Sequence, residues 1–78
     1  MSTDPAFVSW TLHALDKAQR LGFARSDIEA AVLDGHSQRR RNPGKAGWQV
    51  VGGRFVVVYE HPDGDDPLTV RVVTVWRR

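Results

Sequence analysis

Apolar residues recur at helical spacing in the first part of the chain. Between Pro5 and Leu21 they return at steps of three and four residues, which places them on one side of a helix. Thr3 or Asp4 suits the N-cap and Pro5 the first turn. Gly22 suits the C-terminal cap, because glycine has no Cβ to clash at positive φ. The apolar side of this predicted helix consists of Phe7, Trp10, Ala14, Ala18 and Leu21.

A second, shorter helix follows. Ser26 and Glu29 have the spacing of a capping box, in which each side chain bonds the other residue's backbone N–H. This predicts a helix that begins at about Asp27 and stops at Gly35. Its apolar side consists of Ile28, Ala31 and Val32.

The second half of the chain is rich in strand-forming residues. Segments 48–51 and 54–61 are joined by Gly52-Gly53 and predict a β-hairpin. A loop dense in Asp, Gly and Pro then leads to a β-branched run over 68–78, which predicts a last strand. The basic stretch 36–47 suits either an edge strand or a loop.

This order of elements predicts an α+β fold, with two N-terminal helices packed on a three- to four-stranded antiparallel sheet. A length of 78 residues fits a single domain over 1–78. The chain has no cysteine, which excludes disulfides, thiolate metal sites and thiol catalysis. No leader pattern and no apolar run of about 18 residues is present, so we expect a cytoplasmic protein without a membrane partner.

The net charge of +2 is too small to indicate a polyanionic partner by itself, but the cations are clustered. At 100° per residue, His13, Lys17 and Arg20 lie within about 60° of one another on the first helix. A histidine beside cations suits acid–base work on a phosphate, since imidazole titrates near neutral pH and cations stabilise phosphate charge. The alternative is an ordinary solvated helix face.

The strands carry a second set of candidates. Strict alternation places Arg71 and Arg77 on one face, where arginines and the Tyr59 phenol would suit a ribonucleotide backbone and base. A solvated face is again the alternative. The basic run 39–41 suits either phosphate contact or the blocking of sheet-to-sheet pairing.

A metal or cofactor is not expected. His13, His36 and His61 are too widely separated for a metal motif, and no His-x-x-x-His pattern or glycine-rich phosphate loop occurs. The Gly52-Gly53 pair is accounted for by the hairpin turn.

The order of several short motifs resembles a bacterial family known only as domain of unknown function, number 4258. The resemblance covers roughly residues 10–77. It is carried by His13-Ala14-Leu15, Gly22, Ser26-Asp27-Ile28-Glu29, Gly53-Arg54-Phe55-Val56-Val57-Val58-Tyr59 and Val72-Val73-Thr74-Val75-Trp76-Arg77.

That family is similar to the RelE-like and BrnT-like toxins, which are ribonucleases of toxin–antitoxin systems. The resemblance implies that His13 is the leading acid–base residue. The family's helix carries arginines four and eight residues after this histidine, where this chain has Lys17 and Leu21. Lysine keeps the charge without the bidentate fork of arginine, and leucine loses the charge.

The leading hypothesis is therefore a toxin-like ribonuclease that uses no metal and is paired with a cognate antitoxin. The expected catalytic residues are His13, Tyr59 and Arg54. The expected substrate-binding residues are Lys17, Arg20, Arg71, Thr74 and Arg77. The main alternative is a non-catalytic RNA- or protein-binding module on the same scaffold, and a third is a sheet edge that serves dimerisation or captures a partner's strand.

Overall fold

The computed structural model describes residues 7–43, 47–62 and 68–78 of the chain. Within these ranges, one strand precedes two helices, and four strands follow. The elements are β1 Phe7–Trp10, α1 Leu12–Leu21, α2 Arg25–Gly35, a 3-10 turn His36–Gln38, β2 Arg40–Arg41, β3 Trp48–Val51, β4 Phe55–Glu60 and β5 Thr69–Arg77. The α+β class is thus confirmed. No helix in the described ranges is long and apolar enough to cross a membrane.

The strands form one sheet in the order β1-β5-β4-β3-β2. Neighbours from β2 to β5 are antiparallel, and the predicted hairpin of β3 and β4 is confirmed. Strand β1 pairs parallel with β5 at the opposite edge. The sheet therefore has five strands and mixed pairing, not three or four strands in purely antiparallel order.

The N-terminal part of the first predicted helix is wrong. Residues 7–10 form β1, in which Val8 pairs with Val70 and Trp10 with Val72. Val8 and Trp10 pack against the core, as the alternation of a strand requires. Helix α1 instead begins after Thr11, whose Oγ1 accepts a hydrogen bond from the Ala14 N–H. The caps predicted at Thr3, Asp4 and Pro5 lie outside the described residues.

The other predicted helix ends differ in outcome. Gly22 closes α1 at φ +78, as predicted, and its N–H donates to carbonyls of the last turn. Helix α2 begins at Arg25 behind Ala24, which makes no side-chain cap bond. The predicted capping box at Ser26 is therefore wrong. Helix α2 ends at Gly35, as predicted, but Gly35 has a negative φ of −95 and forms no left-handed cap, and the chain continues into the 3-10 turn.

The core lies between the two helices and one face of the sheet. Helix residues Ala14, Ala18, Ile28 and Val32 are buried against it, as predicted, and Ala31 packs beside them. Leu21, also predicted on the apolar side of α1, is only partly buried and lines a surface depression instead. Burial of each large aliphatic side chain contributes about 1.5–3 kcal/mol. The sheet residues of this core are Val50, Phe55, Val57, Tyr59, Val70, Val72 and Val75.

A β-bulge interrupts the pairing of β4 with β5. Val58 pairs with Thr74, but the next residue, Tyr59, pairs with Val72, so Val73 is the extra residue. A bulge of one residue exchanges the two faces of the strand beyond it. As a result, Thr74 does not share a face with Val72, although strict alternation predicts that it does.

Candidate functional site

His13 lies in the first turn of α1, which is fastened to β5. The Thr11 N–H donates to the Val72 carbonyl at 3.0 Å, and the Thr11 hydroxyl donates to the Val73 carbonyl at 3.2 Å. The exposed His13 ring reaches the edge of β5, where Nε2 lies 3.4 Å from Thr74 Oγ1. Thr74 pairs with Val58 on the sheet face away from the helices, so His13 meets it around the edge of β5.

The cations of α1 share one open depression. His13, Lys17, Arg20 and Leu21 line it. Arg20 forms an ion pair of 2.8 Å with Asp16, but both side chains are mostly exposed and such pairs are weak. Lys17 forms no ion pair with any residue in the described ranges. The ridge predicted on this helix thus presents an imidazole beside a cation.

A second depression adjoins the first at Leu21. It has a volume of about 470 Å³, and its cationic lining residues are Arg54, Arg77 and Arg78. The Arg77 Nη2 donates to the Leu21 carbonyl at 3.2 Å, and its guanidinium stands 5.8 Å from the centre of the Phe23 ring. A helix C-terminus attracts positive charge, so this position suits Arg77.

Arg54 and Arg78 are brought together by the antiparallel pairing of β4 with β5. The Arg78 N–H donates to the Arg54 carbonyl at 2.9 Å, and Arg78 Nη1 donates to the Gly52 carbonyl at 3.2 Å. Arg78 was absent from the predicted site. The available signal was register, because antiparallel pairing of a strand that ends at Arg78 brings it opposite the start of β4.

Tyr59 is not part of this surface. It is fully buried on the helix side of the sheet, and its hydroxyl lies 3.1 Å from Nδ1 of His36. Burial raises the pKa of Tyr59 to about 12, and the positive charge of Arg39 offsets part of that rise. A buried phenol held in this way has no route to an RNA on the surface, so we assign it a structural role.

Arg71 is also separated from the other cations. It donates from Nε at 3.0 Å and from Nη2 at 2.6 Å to the Glu60 carboxylate. The bulge leaves Arg71 on the face away from the helices, whereas Arg77 contacts Phe23 on the helix side. Six residues of strand also separate the two arginines by roughly 20 Å. The predicted shared face of Arg71 and Arg77 is therefore wrong.

The side chains of the basic run 39–41 lie in two different environments. The Arg39 and Arg41 guanidinium groups lie 4.2 and 4.8 Å from the centre of the Trp48 ring, within cation–π range. Arg39 also donates to Nε2 of His36 at 3.2 Å. Arg40 instead lines an open depression with Gln38. Within the described ranges, no three His, Asp or Glu side chains cluster as a metal ion would require.

Comparison with known proteins identifies a similar fold but no protein family. No protein-family model matches the chain, so the resemblance to family number 4258 gains no support, and no curated protein matches its sequence. Among solved structures, a chain of the toxin–antitoxin complex RelBE2 from Mycobacterium tuberculosis matches with a TM-score of 0.63 and 21% identity. The match covers 95% of this chain and 99% of that one. This chain thus shares the fold of that chain.

Proposed function

We propose that this chain is a toxin-like endoribonuclease that cleaves RNA without a metal ion. The observation that carries the proposal is the position of His13. Its exposed imidazole shares a depression with Lys17, and that depression adjoins the one lined by Arg54 and Arg77. An acid–base group and several phosphate-binding cations therefore lie along one accessible surface.

The chemistry needs only the RNA's own 2′-hydroxyl as nucleophile. This oxygen attacks the adjacent phosphorus, His13 accepts its proton, and the P–O5′ bond breaks after a phosphorane-like transition state. Water returns a proton to the departing 5′ oxygen. The products are a 2′,3′-cyclic phosphate and a 5′-hydroxyl. Lys17 and Arg77 stabilise the added negative charge, and Arg54 binds a neighbouring phosphate.

Cleavage of single-stranded RNA by the purified chain tests the proposal. His13→Ala should lower the cleavage rate by about 100-fold or more, since positioned acid–base groups contribute about 10²–10⁴. Gln19→Ala is a matched control, because Gln19 is also exposed on α1 but does not line either depression. Both variants should keep the parent's circular dichroism spectrum. Equal rates for the parent and His13→Ala would rule out this role of the imidazole.

The burial of Tyr59 favours a second function, a non-catalytic RNA-binding module. It leaves His13 as the one proposed proton-transfer group, and Leu21 stands where the resemblance implies an arginine. Such a module would bind RNA with steep salt dependence and leave it intact. Intact RNA recovered from a salt-sensitive complex would favour this function over cleavage.

We further propose a cognate antitoxin as protein partner. On the sheet face away from the helices, Val51, Val56 and Trp76 form a cross-strand row, in which Val51 is 50% and Trp76 36% exposed. Exposed apolar rows of this kind suit protein contacts. Val51→Asp should weaken co-purification with the product of an adjacent gene. Unchanged co-purification would exclude this face as the contact.

A further inference from the structure

A third depression extends the cationic surface beyond the proposed cleavage site. It lies at the far side of Arg78 and is lined by Gln38, Arg40, Gln49, Val51 and Arg78. Arg78 also lines the depression of Arg54 and Arg77. Leu21 lines both that depression and the depression of His13. Each depression thus shares one lining residue with the next, and we call the three together the basic track.

From the shape and charge of the basic track, we propose that it binds one RNA strand continuously from His13 to Arg40, so that the Arg40 depression is a distal subsite. This inference rests on the proposed function. Along the track, His13 to Leu21 spans eight residues of α1, about 12 Å, and β5 to β2 spans three strand spacings, about 14 Å. At about 3.4 Å per phosphate of a stacked strand, this path of about 26 Å holds about seven phosphates.

The charges along the basic track favour a polyanion. Among the described residues that line it, seven are basic or imidazole groups and none is acidic. Arg77 and Arg78 are each fixed by one hydrogen bond to a backbone carbonyl, at Leu21 and Gly52. A guanidinium has five N–H donors, so each keeps donors for phosphate oxygens.

The distal subsite should show little base preference. Its described lining offers two glutamine amides and the exposed Val51, but no aromatic ring on which a base could stack. Phosphate contacts position a strand and carry no sequence information. We therefore expect affinity to grow with RNA length and to depend steeply on salt.

Arg40 and Arg41 provide a matched pair of variants. Both are exposed on the two-residue strand β2, but Arg41 stacks on Trp48 and does not line the basic track. The two substitutions remove the same net charge from adjacent positions. A general effect of charge would act on both equally, whereas a subsite contact acts on Arg40 alone.

Binding of 2′-O-methylated RNA, measured by fluorescence anisotropy, tests the track independently of cleavage. Arg40→Ala should weaken binding of an oligonucleotide of about eight nucleotides by about fivefold to tenfold and reduce the salt slope by about 0.7. It should leave binding of a dinucleotide unchanged, and Arg41→Ala should change neither.

Several results would overturn the subsite. They are equal effects of Arg40→Ala and Arg41→Ala, an equal loss for long and short RNA, and a parent chain that binds the long RNA no more tightly than the dinucleotide. Failure of the proposed function has a different signature. In that case unmethylated RNA stays intact. The affinity for RNA still depends on RNA length and on salt, and Arg40→Ala still weakens it.

Discussion

The hydroxyl of Tyr59 and the Nδ1 atom of His36 lie 3.1 Å apart in the core and join β4 to the turn that follows α2. Arg39 donates to the other ring nitrogen of His36, Nε2, and arginine has no acceptor. Nε2 must therefore accept, which places the proton of the neutral ring on Nδ1. The imidazole then donates to the Tyr59 oxygen, so the oxygen of a buried phenol accepts a hydrogen bond from a buried histidine.

The raised pKa of Tyr59 predicts a loss of stability at alkaline pH. In the folded chain this pKa is about 12, whereas an unfolded tyrosine titrates near 10. Between these values the unfolded chain has lost the phenolic proton and the folded chain keeps it. The free energy of unfolding should therefore fall by about 2 kcal/mol from pH ~10 to pH ~12. The contribution is fully present below pH ~10.

Urea unfolding across this pH range, for the parent and Tyr59→Phe, measures this contribution. The stability difference between them should shrink as pH rises, because phenylalanine has no proton to lose. The chain has one tyrosine, so tyrosinate absorbance reports Tyr59 alone. A folded chain whose tyrosinate forms near pH 10 would contradict the prediction.

Local signals in the sequence were sufficient for most elements. Gly22 and Gly35 marked helix ends, and Gly52-Gly53 marked the hairpin, because these depend on residues close in sequence. Strand β1 depends on β5, whose residues lie about sixty positions later in the chain. Its apolar residues satisfied a helical period equally well, and only the Val8 and Trp10 alternation indicated a strand.

The candidate site was predictable where it rests on one helix. His13, Lys17 and Arg20 share a side of α1 because helical geometry fixes that relation. The positions of Tyr59 and Arg71 could not be predicted from local geometry. Strand β4 is apolar on both faces, so alternation did not show which face of the sheet carries Tyr59. The bulge in β5 has no local sequence signal that predicts it.

The helix start observed at Thr11 and the capping box predicted at Ser26 can be compared by their contributions to stability. Thr11→Val keeps the shape of the side chain but removes the bond from the Ala14 N–H and the bond to the Val73 carbonyl. We expect it to lower the free energy of unfolding by about 1–2 kcal/mol. Ser26→Ala, in the exposed first turn of α2, should change it by less than about 0.5 kcal/mol. Equal losses in chemical denaturation would contradict this account of the two helix starts.

Gly22 and Gly53 form a pair that isolates backbone strain. A Cβ added at either position meets no atom within 4 Å, but only Gly22 has a positive φ, at +78. Gly22→Ala should cost about 1 kcal/mol because an L side chain is disfavoured in the left-handed region. Gly53→Ala should be close to neutral. Thermal melts of both variants measure the difference, and similar melting temperatures would show that Gly22 is not conformationally required.

Arg71 and Arg77 distinguish the proposed surface from general positive charge. Arg77 borders the depression that adjoins His13, whereas Arg71 is paired with Glu60 on the opposite face. Arg77→Ala should lower kcat/KM for RNA cleavage by about 10-fold or more, since removal of a charged phosphate contact costs about 1.5–3 kcal/mol. Arg71→Ala removes the same charge and should stay within about twofold of the parent. If the two variants lose activity equally, with unchanged melting temperatures, then the RNA does not bind at the surface beside α1.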